Sequence, residues 1–155
     1  PVYLHDTFNA QPWAIGLIFA AASGATGLMS TQLGRLAKSV RPQRLLFAAF
    51  ILYAASAALL PLMPGLWYAL IPVAIFGLAQ GLNIPCVQTL LAELAPMEQR
   101  GAFMALNGTV LRIGQTLGPI ILGSAYALGS YTAVFITGTA LALAACALVI
   151  ILVRD

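Results

Sequence analysis

Few side chains in these 155 residues can do chemistry, and they stand in unexpected surroundings. Arg112 lies in "NGTVLRIGQTLGPIILG" (107–123), an apolar stretch that also holds Asn107, Gln115, four glycines and Pro119. Gln80 and Asn83 interrupt the apolar run "GLAQGLNIPC", and Glu93 and Arg100 stand seven positions apart across "ELAPMEQR". Amides and a guanidinium bind polar groups, and they make no obvious nucleophile. One histidine and four carboxylates leave little for acid–base work, and no nucleophile–base–orienter set, phosphate loop or metal-ligand spacing appears. No enzyme, catalytic residue, metal or cofactor is expected. Cys86 and Cys146 fall inside apolar runs and read as small packing residues.

The elements that must position these groups follow from composition. Hydrophobic residues make up 61% of the chain and charged residues 7%, with a mean hydropathy of +0.97. A soluble domain carries about 25% charged residues, so the solvent that suits this sequence is a lipid bilayer. A spanning helix takes about 20 mostly apolar residues. Five segments qualify: Trp13–Leu33, Leu45–Met63, Leu66–Leu91, Ala102–Leu128 and Tyr131–Val153. The breaks are "LAKSVRPQR", "PLMPG", "ELAPMEQRG" and "LGS", the last placing Gly129 at a helix C-cap. The expected fold is therefore an all-α integral membrane bundle.

Six of the seven basic residues fall on one side of an alternating five-span bundle: Arg35, Lys38, Arg41, Arg44, Arg100 and Arg154. The positive-inside rule makes that side cytoplasmic, with the N-terminus of the chain outside and its C-terminus inside. The net charge of +3 is confined to short loops and does not point to nucleic acid. The seventh basic residue is Arg112. It sits about 10 residues, or about 15 Å, into its helix. A charge at such depth costs at least about 2.5–3.5 kcal/mol and should meet a polar interior; the alternative is a side chain snorkelling to the cytoplasmic headgroups. The first, third and fourth spans carry polar faces. Ser23, Thr26 and Ser30 share one, at i, i+3 and i+7. Gly114 and Gly118 form a small-xxx-small pair, which lets helices approach closely, and Pro119 favours a kink. Glu93 and Arg100, read alone, form a solvent-screened pair worth about 0–1 kcal/mol.

These residues together resemble the major facilitator superfamily of secondary transporters. "GQTLGPIILG" is similar to the family's G-x-x-x-G-P-x-x-G-G motif, associated with antiporters: Gly114, Gly118, Pro119 and Gly123 match, and Leu122 replaces a glycine. Glu93 and Arg100 fit an E-x6-R pairing. "GRLAKSVRPQR" resembles a worn G-x-L-A-D-R-x-G-R-K loop, with Lys38 for the aspartate and Arg41 for the second glycine. The resemblance covers nearly the whole chain. The missing aspartate, and Gly77 of "GLAQG" where the N-terminal half has an arginine, favour the C-terminal half: helices 8 to 12, preceded by the outer end of helix 7 in "PVYLHDTFNA".

The resemblance implies five spans forming most of one six-helix half, with a missing N-terminal half and a small-molecule substrate as partners. It implies proton-coupled efflux by alternating access across an inner or plasma membrane. Gln80, Asn83, Arg112 and Gln115 are the expected cavity residues, with Glu93 and Arg100 as a conformational latch. Gly114, Gly118, Pro119 and Gly123 are expected at a close helix contact. No carboxylate is embedded in the spans, so proton coupling is assigned to the missing half. The alternatives are a sugar or nutrient symporter or uniporter of the same fold, and a non-transporting helical scaffold.

Overall fold

The computed structural model describes residues 2–152. Val153, the expected end of the last span, and Arg154 lie outside them. Six helices run in order: α1 (Val2–Phe8), α2 (Pro12–Ser39), α3 (Pro42–Leu59), α4 (Leu70–Leu94), α5 (100–128) and α6 (131–152). The last two are one continuous stretch of helix-type hydrogen bonding, Arg100–Leu152, broken only by non-helical backbone at Gly129 and Ser130. Short 3-10 turns at Leu60–Leu62, Leu66–Ala69 and Met97–Gln99 complete the chain.

The boundaries have local causes. Pro12 and Pro42 each stand at the start of a helix, where a missing N–H costs nothing. Pro42 also holds Arg41 extended, at φ −60° and ψ 139°. The basic segment is consequently not a loop through most of its length. Gly34 to Ser39 continue α2, so Arg35 rides on a helix end, and only Val40 and Arg41 link it to α3. Asn9 takes the left-handed conformation (φ 49°) at the end of α1, and the Ala10 N–H reaches back to the Leu4 carbonyl at 3.4 Å. The bond reaches one residue further back than a Schellman closure would, and it still ends the helix on a residue at positive φ. The "LGS" turn is displaced by one residue from the expected place. Gly129 keeps a negative φ (φ −157°, ψ 22°), and the positive φ, 69°, falls on Ser130.

Among the described residues, four segments are long and apolar enough to cross a membrane: Pro12–Ala37, Pro42–Leu62, Leu66–Leu94 and Gly129–Ile151. The expected span Ala102–Leu128 is a helix of sufficient length, yet it falls outside that group. Asn107, Arg112, Gln115 and five glycine or proline positions between 108 and 123 dilute its apolar content.

Helices α2, α3 and α4 form the packed centre. At one end Leu33, Leu45, Leu46, Ala49, Leu82 and Cys86 make a buried cluster. At the other, Leu4, Ala10, Ile18 and Ala69 make a second, which seats α1 against the starts of α2 and α4. Cys86 and Cys146 are both buried and unbridged, in packing positions. Tyr131 at the head of α6 donates a hydrogen bond to the Asp6 carboxylate and stacks edge-on with Tyr3 at 5.2 Å. The Tyr131 hydroxyl, and then His5, hold the Asp6 carboxyl below its ordinary range. This contact ties α1 to α6.

The closest helix approach is between α2 and α4. A Cβ at Gly81 would lie 2.6 Å from the Thr26 carbonyl oxygen, and one at Gly77 would run into the Ala22 carbonyl. Thr26 donates to its own-helix acceptor, the Ala22 carbonyl, at 3.0 Å or across to the Gly77 carbonyl at 2.9 Å. Ser30 repeats the arrangement one turn on, with the Thr26 carbonyl at 2.8 Å and the Gly81 carbonyl at 3.3 Å. The face of α2 read from sequence as lining a polar interior is thus largely spent on backbone contact.

Candidate functional site

Three helices of the packed centre and α6, with Leu122 of α5, line an open cavity of about 840 Å³. Its walls are aromatic because each helix contributes rings at one level. Phe19 comes from α2, Phe50 and Tyr53 from α3, Phe76 from α4 and Phe135 from α6. Tyr53 lies 5.2 Å from Phe76 and 6.2 Å from Phe50 between ring centroids, all tilted between 54° and 59°. Such tilted contacts suit the ring quadrupoles better than a face-to-face sandwich. Gly138 borders the space, since nothing lies within 4 Å of a Cβ placed there. Leu122, the departure from the motif glycine, also lines it.

Polar groups at the cavity are few. Ser23 donates to the Phe19 carbonyl, Thr26 to the carbonyls already described, and Ser56 to the Pro72 carbonyl at 2.7 Å. Those hydroxyls are satisfied by backbone. Gln80 differs: its carboxamide lines the cavity and takes part in no hydrogen bond among the described residues. Asn83 is three positions further along α4, on the same side of the helix, and its buried Oδ1 has no partner among the described residues.

Of the four residues expected from sequence to line a substrate cavity, Gln80 is the one on this cavity wall, with Asn83 close behind, and Ser23 and Thr26 of the α2 polar face line it too. Arg112 and Gln115 lie elsewhere, exposed on α5, and the Arg112 side chain bonds no described residue. Only its backbone carbonyl is engaged, by Thr116 Oγ1 at 3.0 Å. Glu93 and Arg100 are exposed, and the one ion pair among the described residues is His5–Asp6. Nothing lies within 4 Å of a Cβ at Gly114, Gly118 or Gly123. Within this chain these glycines make no close helix contact. The close contact expected of them is made instead by Gly77 and Gly81. Those two carried the same small-xxx-small signal. The aromatic cage carried none, because its rings come from four helices and no local spacing unites them.

α5 itself is the least covered helix. Among its described side chains none is buried, and Leu106, Val110, Leu111, Ile113, Leu117 and Ile120 are all exposed. It therefore presents an open face that combines apolar side chains, small residues and one permanent charge.

Comparison with known proteins places these features. The chain is 30% identical over 133 residues to an uncharacterized MFS-type transporter, YwfA, of Bacillus subtilis, covering 85% of this chain and 32% of that protein. It is 29% identical over 118 residues to the multidrug resistance protein MdtG of Dickeya zeae, covering 76% and 29%. It is 23% identical over 134 residues to a Na(+), Li(+), K(+)/H(+) antiporter of Planococcus maritimus, covering 77% and 32%. The chain thus spans about a third of the length of these relatives. The family model described as Major Facilitator Superfamily matches residues 1–155, the whole chain, and the chain belongs to that family.

Proposed function

We propose that this chain is the C-terminal part of a secondary transporter that moves small organic molecules out of the cell in exchange for protons, by alternating access. The observation that carries the reading is the open face of α5. A permanent charge, Arg112, and an amide, Gln115, stand exposed on a helix that the other helices of this chain leave largely uncovered. A charge in hydrocarbon is costly, so such a face belongs against water, substrate or a second polar surface. In the proposed transporter an N-terminal six-helix half supplies that surface, and the pathway runs between the halves near the midplane. Gly114, Gly118 and Pro119 then allow the second half to approach and α5 to bend. The names of the relatives, multidrug resistance protein and antiporter, agree in class.

Glu93 and Arg100 flank the turn that joins α4 to α5. In this reading they form their ion pair in one transport state and release it in the other. The basic end of α2 lies on the cytoplasmic side.

The test uses the full-length protein in proteoliposomes with an imposed pH gradient. Arg112→Met is expected to insert as well as the parent, because a desolvated charge is gone, and to lose most gradient-driven efflux. Arg112→Lys is expected to rescue poorly if the planar donor fork is needed. Parental efflux by Arg112→Met would remove the basis of this assignment and leave the snorkelling arginine in its place.

A further inference from the structure

We infer that the open aromatic cavity is the seat of a membrane helix of this same protein: the segment that runs directly into α1, of which α1 forms the last turns. The inference rests on the proposal that this chain continues a longer transporter. It assigns to that transporter a contact within this part of the bundle, apart from the α5 face.

The cavity has the form of a groove for a helix. On α6 it is lined by Phe135, Gly138, Ala142 and Ala145, and on α3 by Phe50, Tyr53, Ala57 and Leu60. Both sets step by three, four and three residues, the stripe that one helix offers another along its length. Each stripe covers about 15 Å, nearly three helical turns.

α1 already lies at one end of this groove and points along it. Tyr131 at the head of α6 meets Asp6, while Phe135, four residues further along α6, meets Tyr3 at 4.9 Å. Lower numbers on α1 thus pair with higher numbers on α6, and the two helices run antiparallel. Leu4 packs in the cluster of Ile18 and Ala69, and Leu60 and Val73 of the groove wall rest on that same cluster. Continued backwards from Val2 in this register, the helix passes Gly138, then Ala142, then Ala145. Gly138 has nothing within 4 Å of an added Cβ, which leaves room for a side chain of the arriving helix. Among the described residues no Asp, Glu, Lys, Arg or His lines the groove, so the seated face is uncharged. A lipid acyl chain would leave the Gln80 carboxamide without a partner, whereas a helix side chain can meet it.

Disulfide cross-linking of the full-length protein in native membranes tests this. Cys86→Ala and Cys146→Ala, with any cysteine outside this chain also replaced, give the background. Single cysteines are then scanned along the segment before Tyr3, each paired with Gly138→Cys or with Ala142→Cys. After oxidation, cross-linked peptides are quantified by mass spectrometry. The yield should peak about four residues before Tyr3 with Gly138→Cys and about seven before it with Ala142→Cys, one and two helical turns along. It should fall at least fivefold about five residues before Tyr3, on the far side of the helix. A yield that is uniform along the scan, or absent in protein that is monodisperse by size exclusion, would overturn the inference. Cross-links between two copies would overturn it too, since a second chain would then fill the groove. So would ready labelling of Ala142→Cys by a lipid-dissolved maleimide, which identifies a cleft open to the bilayer. A full-length protein with no apolar segment before Tyr3 would end this inference and the proposed transporter together. An apolar segment that fails to cross-link, in protein that keeps Arg112-dependent efflux, ends this inference alone.

Discussion

Two glycine pairs with the same four-residue spacing behave in opposite ways. Gly77 and Gly81 on α4 are pressed against the α2 backbone, so closely that a Cβ at either position would collide with a carbonyl group. Gly114 and Gly118 on α5 have nothing within 4 Å of the same imagined atom. The spacing makes a groove in both helices. Only in the first does this chain supply a ridge to fill it. Ala22, Thr26 and Ser30 recur at intervals of four on α2, and two of them carry hydroxyls that reach carbonyls across the contact. Small residues permit approach; a complementary surface with hydrogen bonds to offer makes it happen.

The contrast is sharpest under a bulky substitution. Gly81→Leu forces a branched side chain into the Thr26 carbonyl and the Met29 Cβ. Overpacking of this kind costs about 1–3 kcal/mol or more, and we expect the largest loss of monodisperse protein by fluorescence-detected size exclusion. Gly118→Leu meets open space within this chain. It should leave folding nearly intact and stop efflux, because the bulk lies where the second half is proposed to pack. Normal efflux by Gly118→Leu would mean that this side of α5 faces lipid.

The joint between the closed and the open region is the turn carrying Glu93 and Arg100. The double reversal Glu93→Arg with Arg100→Glu should recover more efflux than either single reversal. If it recovers no more, the two charges act independently and the latch is discarded. The smallest effect is expected inside the tight contact itself. Thr26→Val keeps the shape and removes the hydroxyl that reaches Gly77. Side-chain hydrogen bonds between membrane helices average about 0.6 kcal/mol, so a fall of a few degrees at most in thermal unfolding is expected. A loss as large as that of Gly81→Leu would show that the hydroxyl, and not the missing Cβ, makes the contact.

The helices were legible because hydrophobic content and proline punctuation act locally. Pro42 starts α3, and the Pro61–Pro64–Gly65 cluster ends it and turns the chain. Gln80 stood out as an amide in an otherwise apolar run, and its side chain lies on the wall of the aromatic cavity. What stayed hidden depends on surfaces distant in sequence. Gly77 and Gly114 begin equivalent patterns, and nothing in either segment says which has a partner helix. The cavity rests on Phe19, Tyr53, Phe76 and Phe135 arriving at one level from four helices. The displaced turn at Ser130 arose for a different reason. A glycine is the easier residue at positive φ, yet here Gly129 keeps φ at −157° and the positive φ falls on its neighbour Ser130.

The hydroxyls between α2 and α4 have a mechanical consequence. Thr26 has one proton and two acceptors within 3.0 Å, one on its own helix and one on the neighbour. Ser30 is placed between a near and a far carbonyl in the same fashion. When α2 slides along α4, each hydroxyl can let go of the far carbonyl and swing to the near one, so no polar hydrogen is stranded in hydrocarbon. The interface behaves as a lubricated bearing: tight against separation and soft to shear. In the proposed transporter such a joint would let one part of the bundle rock on another, and one hydroxyl per helical turn, Thr26 and then Ser30, is enough to build it.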